Sequence, residues 1–243
     1  MAIGLKTAWR KALLIMAMLL GNTHVSAASL NVITENFPDY QYVDKDGQLK
    51  GQAADLVRNV LNTSGIDYDI TVQNWAVAYN AALRRNNTCL FSIARMPARE
   101  EQFHWLFPIG RFTTSFYALT SSHIKLNSLV DAKKYKTAVI RNNFSHVYLM
   151  ERGFNEDQHL ILISSFDNVF NLIETRKGSL DLVILSDAQY RHKLSQGEIS
   201  EPMDKLLTIE EPYSELYFSC SKQTDPKIIE KIKLAYTQVQ VKK

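Results

Sequence analysis

What most constrains this chain is the order in which two hydrophobic periodicities alternate along it. Short apolar runs at 30–34, 68–72 and 90–94 have the length and bounding residues of strands. Between them, 53–61 and 75–83 carry apolar residues at helical spacing, with Ala54, Val57, Val60 and Leu61 on one face of the first. Gly65 is placed to end that helix, and Asp44-Lys45-Asp46-Gly47 is placed to turn. A β-α-β-α-β order implies a mainly parallel sheet, because parallel strands need a crossover between them. After the polar segment 120–125 the pattern restarts. A short helix at 129–134, a strand at 137–140, a helix at 144–152 and a strand at 160–163 follow. Asp167 is expected to cap the next helix, whose apolar face is Val169, Phe170, Leu172 and Ile173, and Gly178 to end it before a strand at 180–185. Residues 206–209 and 216–220 are further strand candidates, and Pro226 opens a last helix striped by Ile228, Ile229, Ile232 and Ala235. The chain therefore reads as two α/β units with no low-complexity linker, P-loop or G-x-G-x-x-G turn.

Within this pattern, the stretch from Ser92 to Trp105 carries the most chemistry. Pro97 suits the first turn of a helix, and Glu100 and Glu101 follow where the helix dipole favours acids. Arg95 and Arg99 thus fall where a strand ends and a short helix begins, the position at which open α/β sheets bind ligands. Arginine presents a planar fork that matches a carboxylate or phosphate. Two readings stand side by side: an anion site, or two arginines paired with Glu100 and Glu101 on a solvated face.

Residues 1–27 read as a cleaved secretory signal. Lys6, Arg10 and Lys11 form a basic front, 12–20 an apolar core, and Val25-Ser26-Ala27 a small-residue cleavage site. Of the 28 basic residues, the leader takes three, which leaves 25 against 25 acidic ones. A mature chain near zero net charge lacks the basic face that nucleic acid requires. No later stretch is apolar enough to cross a bilayer. The only two cysteines, Cys89 and Cys220, would share an oxidising compartment, so they are either bridged or two separate buried thiols. No Cys/His cluster has metal-ligand spacing, and His104, His146 and His192 read as surface or packing residues.

An ordered set of motifs resembles the family 3 extracellular solute-binding proteins over the whole mature chain. An exported strand leads into Phe37-Pro38-Asp39-Tyr40. Asp46-Gly47-Gln48-Leu49-Lys50-Gly51 follows, with Asp55-Leu56-Val57 in the next helix. Trp75 opens a helix, the arginine stretch with Arg99 comes next, then Phe107-Pro108, and later Gly178-Ser179-Leu180-Asp181 at a strand entry. The resemblance implies a two-lobed type II periplasmic-binding-protein fold of class α/β, each lobe a mainly parallel sheet flanked by helices, with two crossing hinge strands. Lobe 1 would be 28–116 plus 216–243, and lobe 2 would be 117–215. Cys89 and Cys220 would then lie in one lobe near the hinge.

By the same resemblance, Arg99 grips a ligand carboxylate, helped by the turn Arg141-Asn142-Asn143-Phe144-Ser145, where Asn143 and Ser145 open a helix. Phe37, Tyr40 and Trp75 either wall the ligand or pack in the core, and Glu35 lies beside them. The family usually has Ser or Thr two or three residues before its arginine. Here stand Ala94, Arg95 and Met96, so Arg95 either supplies the missing donors or closes a salt bridge. Asp187 is the nearest acid for a ligand ammonium, one residue beyond the expected place, which Ser186 occupies; the alternative is that Asp187 caps a helix. The implied function is capture of a small amino-acid-like or carboxylate-bearing ligand in the periplasm by a monomer, without cofactor, metal or nucleic acid. The partner would be the permease of an ABC transporter or a sensor. Two alternatives are an enzyme on the same fold, dehydratase-like, with Glu35 or Asp187 as general acid or base, and an interaction module without a small ligand.

Overall fold

Runs of β-branched and aromatic residues become strands, and the amphipathic stretches between them become the helices that cover them. The computed structural model describes residues 29–166, 169–210 and 214–241. The leader at 1–27 and the expected cap Asp167 lie outside the described residues.

The first half of the chain forms β1 (Leu30–Thr34), a two-residue hairpin pair β2 (Tyr42–Val43) and β3 (Leu49–Lys50), α1 (Gln52–Ser64), β4 (Tyr68–Val72), α2 (Trp75–Arg84), β5 (Thr88–Ala94), a 3-10 helix at Pro97–Gln102 and β6 (Phe103–Arg111). The second half forms β7 (Thr114–Leu119), β8 (Thr137–Ile140), α3 (Phe144–Glu151), α4 (Glu156–His159), β9 (Leu160–Ile163), α5 (Val169–Thr175), β10 (Leu182–Ser186), α6 (Asp187–Ser195) and β11 (Met203–Ile209). The chain ends with β12 (Glu215–Ser221) and α7 (Pro226–Val241). One five-stranded sheet has the order β4-β1-β5-β12-β6, the other β11-β7-β10-β8-β9. In each, the βαβ strands pair in parallel, and the strands next to the crossings pair antiparallel.

Position in the sheet explains burial. β5 is central, and all seven of its residues are buried. α1 buries Ala53, Ala54, Val57, Val60 and Leu61, and Gly65 ends it in the left-handed region at φ 64°. Gly51 enters that helix at φ 112°, and a Cβ there would press into the carbonyl of Tyr40. The strand β6 had no counterpart in the sequence reading. It is an edge strand with exposed Pro108, so it shows neither alternation nor a continuous apolar run.

Two connections join the sheets. The chain leaves the first sheet after Arg111 and enters the second at Thr114, and it returns between Ile209 and Glu215. The expected boundaries after 116 and 215 are therefore corrected: Thr114, Ser115 and Phe116 pair within the second sheet, and Glu215 already pairs with Arg111 in the first. The two connections are tied by a hydrogen bond from the Phe112 N–H to the Ser214 carbonyl, 2.9 Å. Cys89 and Cys220 oppose each other directly on β5 and β12 and form a disulfide inside the first sheet.

Candidate functional site

The strand ends of the two sheets face each other across a cleft. From the first sheet come Glu35 and Phe37 after β1, Trp75 at the start of α2, Ser92 in β5 and Arg99 in the 3-10 helix. From the second come Thr114, Asn143, Phe144, Ser145, Phe166, Ser186 and Gln189. The space they enclose is small, about 50 Å³. A more polar recess of about 210 Å³ continues past Trp75 and Phe166, bordered by Gln73, Asn74, Ser164 and Ser165.

Arg99 is the centre of this arrangement and is 1% exposed. Its Nη1 donates to the Ala94 carbonyl at 2.9 Å, and its Nη2 reaches across the cleft to the Asn142 carbonyl at 2.8 Å. Its guanidinium lies 5.5 Å from the centre of the Trp75 ring and 5.4 Å from that of Tyr79. Burial pulls it below its ordinary pKa, opposed by Tyr79, Glu35 and Glu151. The Arg99 Nε–H and the Trp75 Nε1–H are buried without a partner among the described residues. Two orphaned donors in one small wall call for an acceptor from outside the chain.

Opposite stands the start of α3. Asn143 caps it, its side chain accepting from the His146 N–H at 2.9 Å. The N–H groups of Phe144 and Ser145 have no intrahelical partner at a helix start, and both residues line the cleft. The sequence missed Ser92, which takes φ 62° as the extra residue of β5 between Phe91 and Ile93, whose partners Phe218 and Tyr217 are consecutive on β12, a bulge in mid-strand. Its Oγ donates to Gln41 Oε1 at 2.7 Å. Only the pairing register reveals such a bulge. Phe112, also missed, joins Phe37 to Phe144 of the expected turn by edge-to-face contacts at 5.9 and 5.1 Å and carries packing from one lobe to the other.

Glu35, Phe37, Trp75, Arg99, Asn143 and Ser145 thus come together. Three expected residues do not. Arg95 turns outward, makes a two-pronged pair with Glu100 and packs against Trp105 and Tyr217. Neighbouring residues of a strand face opposite sides, and with Ala94 lining the cleft Arg95 points to solvent. Tyr40 packs beneath the crossing, and its hydroxyl donates to the Arg111 carbonyl. Asp187 is neither cap nor cleft residue. Ser186 caps α6 in a capping box with Gln189, which leaves Asp187 in the first helical turn. There its Oδ2 pairs with Lys205 at 2.7 Å and its Oδ1 accepts from Tyr117 at 2.9 Å. His146, read as an ordinary packing residue, is 6% exposed with both ring nitrogens engaged. Among the described residues there is no group of acidic, histidine or cysteine side chains able to hold a metal ion.

The fold recurs in solved structures. A histidine kinase sensor domain with similarity to periplasmic binding proteins superposes with a TM-score of 0.72 at 16% identity, over 88% of this chain and 91% of that one. An ancestral arginine-binding protein bound to arginine gives 0.71 at 18%, over 90% and 94%. The arginine-, lysine-, histidine-binding protein ArtJ from Geobacillus stearothermophilus gives 0.69 at 18%, over 88% and 90%. At these identities the likeness establishes the two-lobed fold alone. No curated protein sequence matches the chain. The family model of bacterial extracellular solute-binding proteins, family 3, matches residues 30–240. A match along nearly the whole described length, on two facing α/β sheets, makes this chain a member of the family 3 bacterial extracellular solute-binding proteins.

Proposed function

We propose that this protein captures a small zwitterionic, amino-acid-like ligand between its lobes, its carboxylate at Arg99 and its cationic group toward Glu35. The observation that carries the reading is the buried Arg99 Nε–H, which like the nearby Trp75 Nε1–H has no partner among the described residues. A ligand carboxylate would satisfy both, with the Phe144 and Ser145 N–H groups approaching from the other lobe. Asp187 pairs with Lys205 away from the cleft, and Glu35 is the carboxylate in the described lining. Aromatic walls from Phe37, Trp75, Phe144 and Phe166 fit the apolar part of such a molecule. The neighbours named as binding arginine, lysine and histidine accord with a cationic side chain at Glu35.

The closed cleft has room for a few water molecules. An amino acid therefore enters when the lobes part and is enclosed when they meet, which strengthens each charged contact as water leaves. We read the protein as a binder, its closed form engaged by a permease or a sensor in the periplasm. One carboxylate and one guanidinium in the described lining do not form a general acid and base pair, so catalysis has less support.

The test is a thermal-shift screen of the mature protein against the amino acids, polyamines and dicarboxylates, followed by calorimetry on the hits. A compound at a hundred times its Kd should stabilise by about 2.7 kcal/mol. Arg99→Lys should weaken a carboxylate-bearing hit at least tenfold although the charge is kept, because the fork is lost. Equal affinity in Arg99→Ala and wild type would end the assignment.

A further inference from the structure

A chain of hydrogen bonds runs from the surface of lobe 2 to the centre of the cleft. Glu156 Oε1, in α4, lies 3.0 Å from His146 Nε2. His146 Nδ1 accepts from the Asn142 N–H at 3.0 Å. The carbonyl of Asn142 accepts from Arg99 Nη2, in the other lobe. Because Nδ1 accepts, the neutral ring carries its proton on Nε2 and donates it to Glu156. Asn142 itself sits at φ 61°, a conformation that needs support from its surroundings.

We propose that His146 is a positioning residue for the cleft: with Nδ1 unprotonated it holds the turn at 141–143 so that Asn142 latches onto Arg99, and protonation of Nδ1 releases that latch. A solvent proton on Nδ1 turns the acceptor into a donor facing the donor of Asn142, and the bond is replaced by repulsion. The residue that caps α3, Asn143, and the one that contacts Arg99, Asn142, are consecutive, so a shift of the turn reaches both walls of the cleft.

The groups facing the ring set the sign. Burial lowers its pKa, Arg141 next to the turn lowers it further, and Glu156 opposes both, with the net shift downward from the ordinary histidine value. Arg141 and Glu156 themselves approach to 3.8 Å, so the acid is shared. On the far side of Asn142 the charge is that of Arg99, with Glu35 and Glu151 acting on it. A depressed value in the latched state means that the neutral, latched form is complete above about pH 6.5 and is lost as pH falls through the lowered value.

The consequence for capture rests on the cleft being the binding site, but the test contains no ligand and so stands apart from that reading. In ligand-free, isotope-labelled protein the His146 ring nitrogens and the Asn142 amide would be followed by NMR from about pH 8 to about pH 4.5, a range bracketing the ordinary histidine value. In wild type both should titrate with one midpoint, below the ordinary histidine value, from an Nε2–H tautomer. His146→Asn places an acceptor oxygen near the Nδ1 position and does not titrate, so the Asn142 amide should keep its neutral-pH position throughout. Glu156→Gln should move the wild-type midpoint further down. Solution scattering should show wild type expanding in acid and His146→Asn unchanged. An Asn142 amide that stays still while His146 titrates, an acid shift that persists in His146→Asn, or no expansion in wild type would overturn the proposal.

Discussion

At the scale of residues, the arginines and acids divide by whether burial leaves them a partner inside the chain. Arg95 and Glu100 are both about two-fifths exposed and satisfy each other. A pair this exposed is worth a fraction of a kcal/mol, and it holds the Arg95 guanidinium away from the cleft. Arg99 is enclosed, and its Nε–H finds no partner among the described residues. Asp187 shows the opposite outcome. Burial raises its pKa, but the Lys205 ammonium and the Tyr117 and Ser115 hydroxyls outweigh this and hold it below the ordinary carboxylate value. A carboxyl depressed in the folded state stabilises above its unfolded pKa, and that contribution is lost as pH falls through the folded value. Asp187→Asn should therefore cost about 1 kcal/mol at neutral pH, and the difference should vanish in acid well below pH 4. Urea unfolding at both pH values measures it, and a difference unchanged in acid would remove the ion pair from the account.

At the scale of elements, β5 does three things at once. Its fully buried run centres the first sheet, its bulge at Ser92 opens toward the cleft, and its one cysteine, Cys89, fixes it to β12. The bridge spans 131 residues of sequence, a loop that includes the whole second sheet. In the chain-entropy model, closing such a loop stabilises by about 4–5 kcal/mol. Replacing both cysteines by serine should lower the denaturant midpoint accordingly. Because both ends lie within one sheet, the Asn142 and Arg99 resonances should keep their wild-type positions. Movement of those signals would mean that the bridge also governs the cleft.

At the scale of the whole molecule, closure rests on contacts of unequal worth. Arg99 to Asn142 and the aromatic chain through Phe112 are buried or nearly so, whereas the pair between Arg191 and Asp39 at 3.4 Å is exposed at both ends. Screening and side-chain entropy leave such a pair about 0.5 kcal/mol or less. Asp39→Asn should leave the radius of gyration of the ligand-free protein unchanged in solution scattering. An expansion comparable to that expected for wild type in acid would show that the rim, and not the buried latch, holds the lobes.

The sequence by itself determined the alternation of strands and helices, the two α/β units, the placement of Arg99 at a strand end and the presence of just two cysteines, whose pairing it left open. These are local or countable properties: hydrophobic period, turn residues, charge and cysteine number. What it could not carry is direction across space. Arg95 and Arg99 both follow the end of β5, and which of them faces the cleft is set by how the turn and 3-10 helix beyond Ala94 pack against the second sheet, with no mark in the residue pattern. Asp187 had an acid's chemistry but met Lys205, eighteen residues on, because β11 returns alongside β7. The strand β6 was hidden because an edge strand with a proline needs no apolar pattern. His146 looked ordinary until α3, α4 and the turn at 141–143 closed around both of its ring nitrogens. Tertiary structure decided these points because a side chain's partner is set by packing between segments distant in sequence, and periodicity within one segment does not encode it.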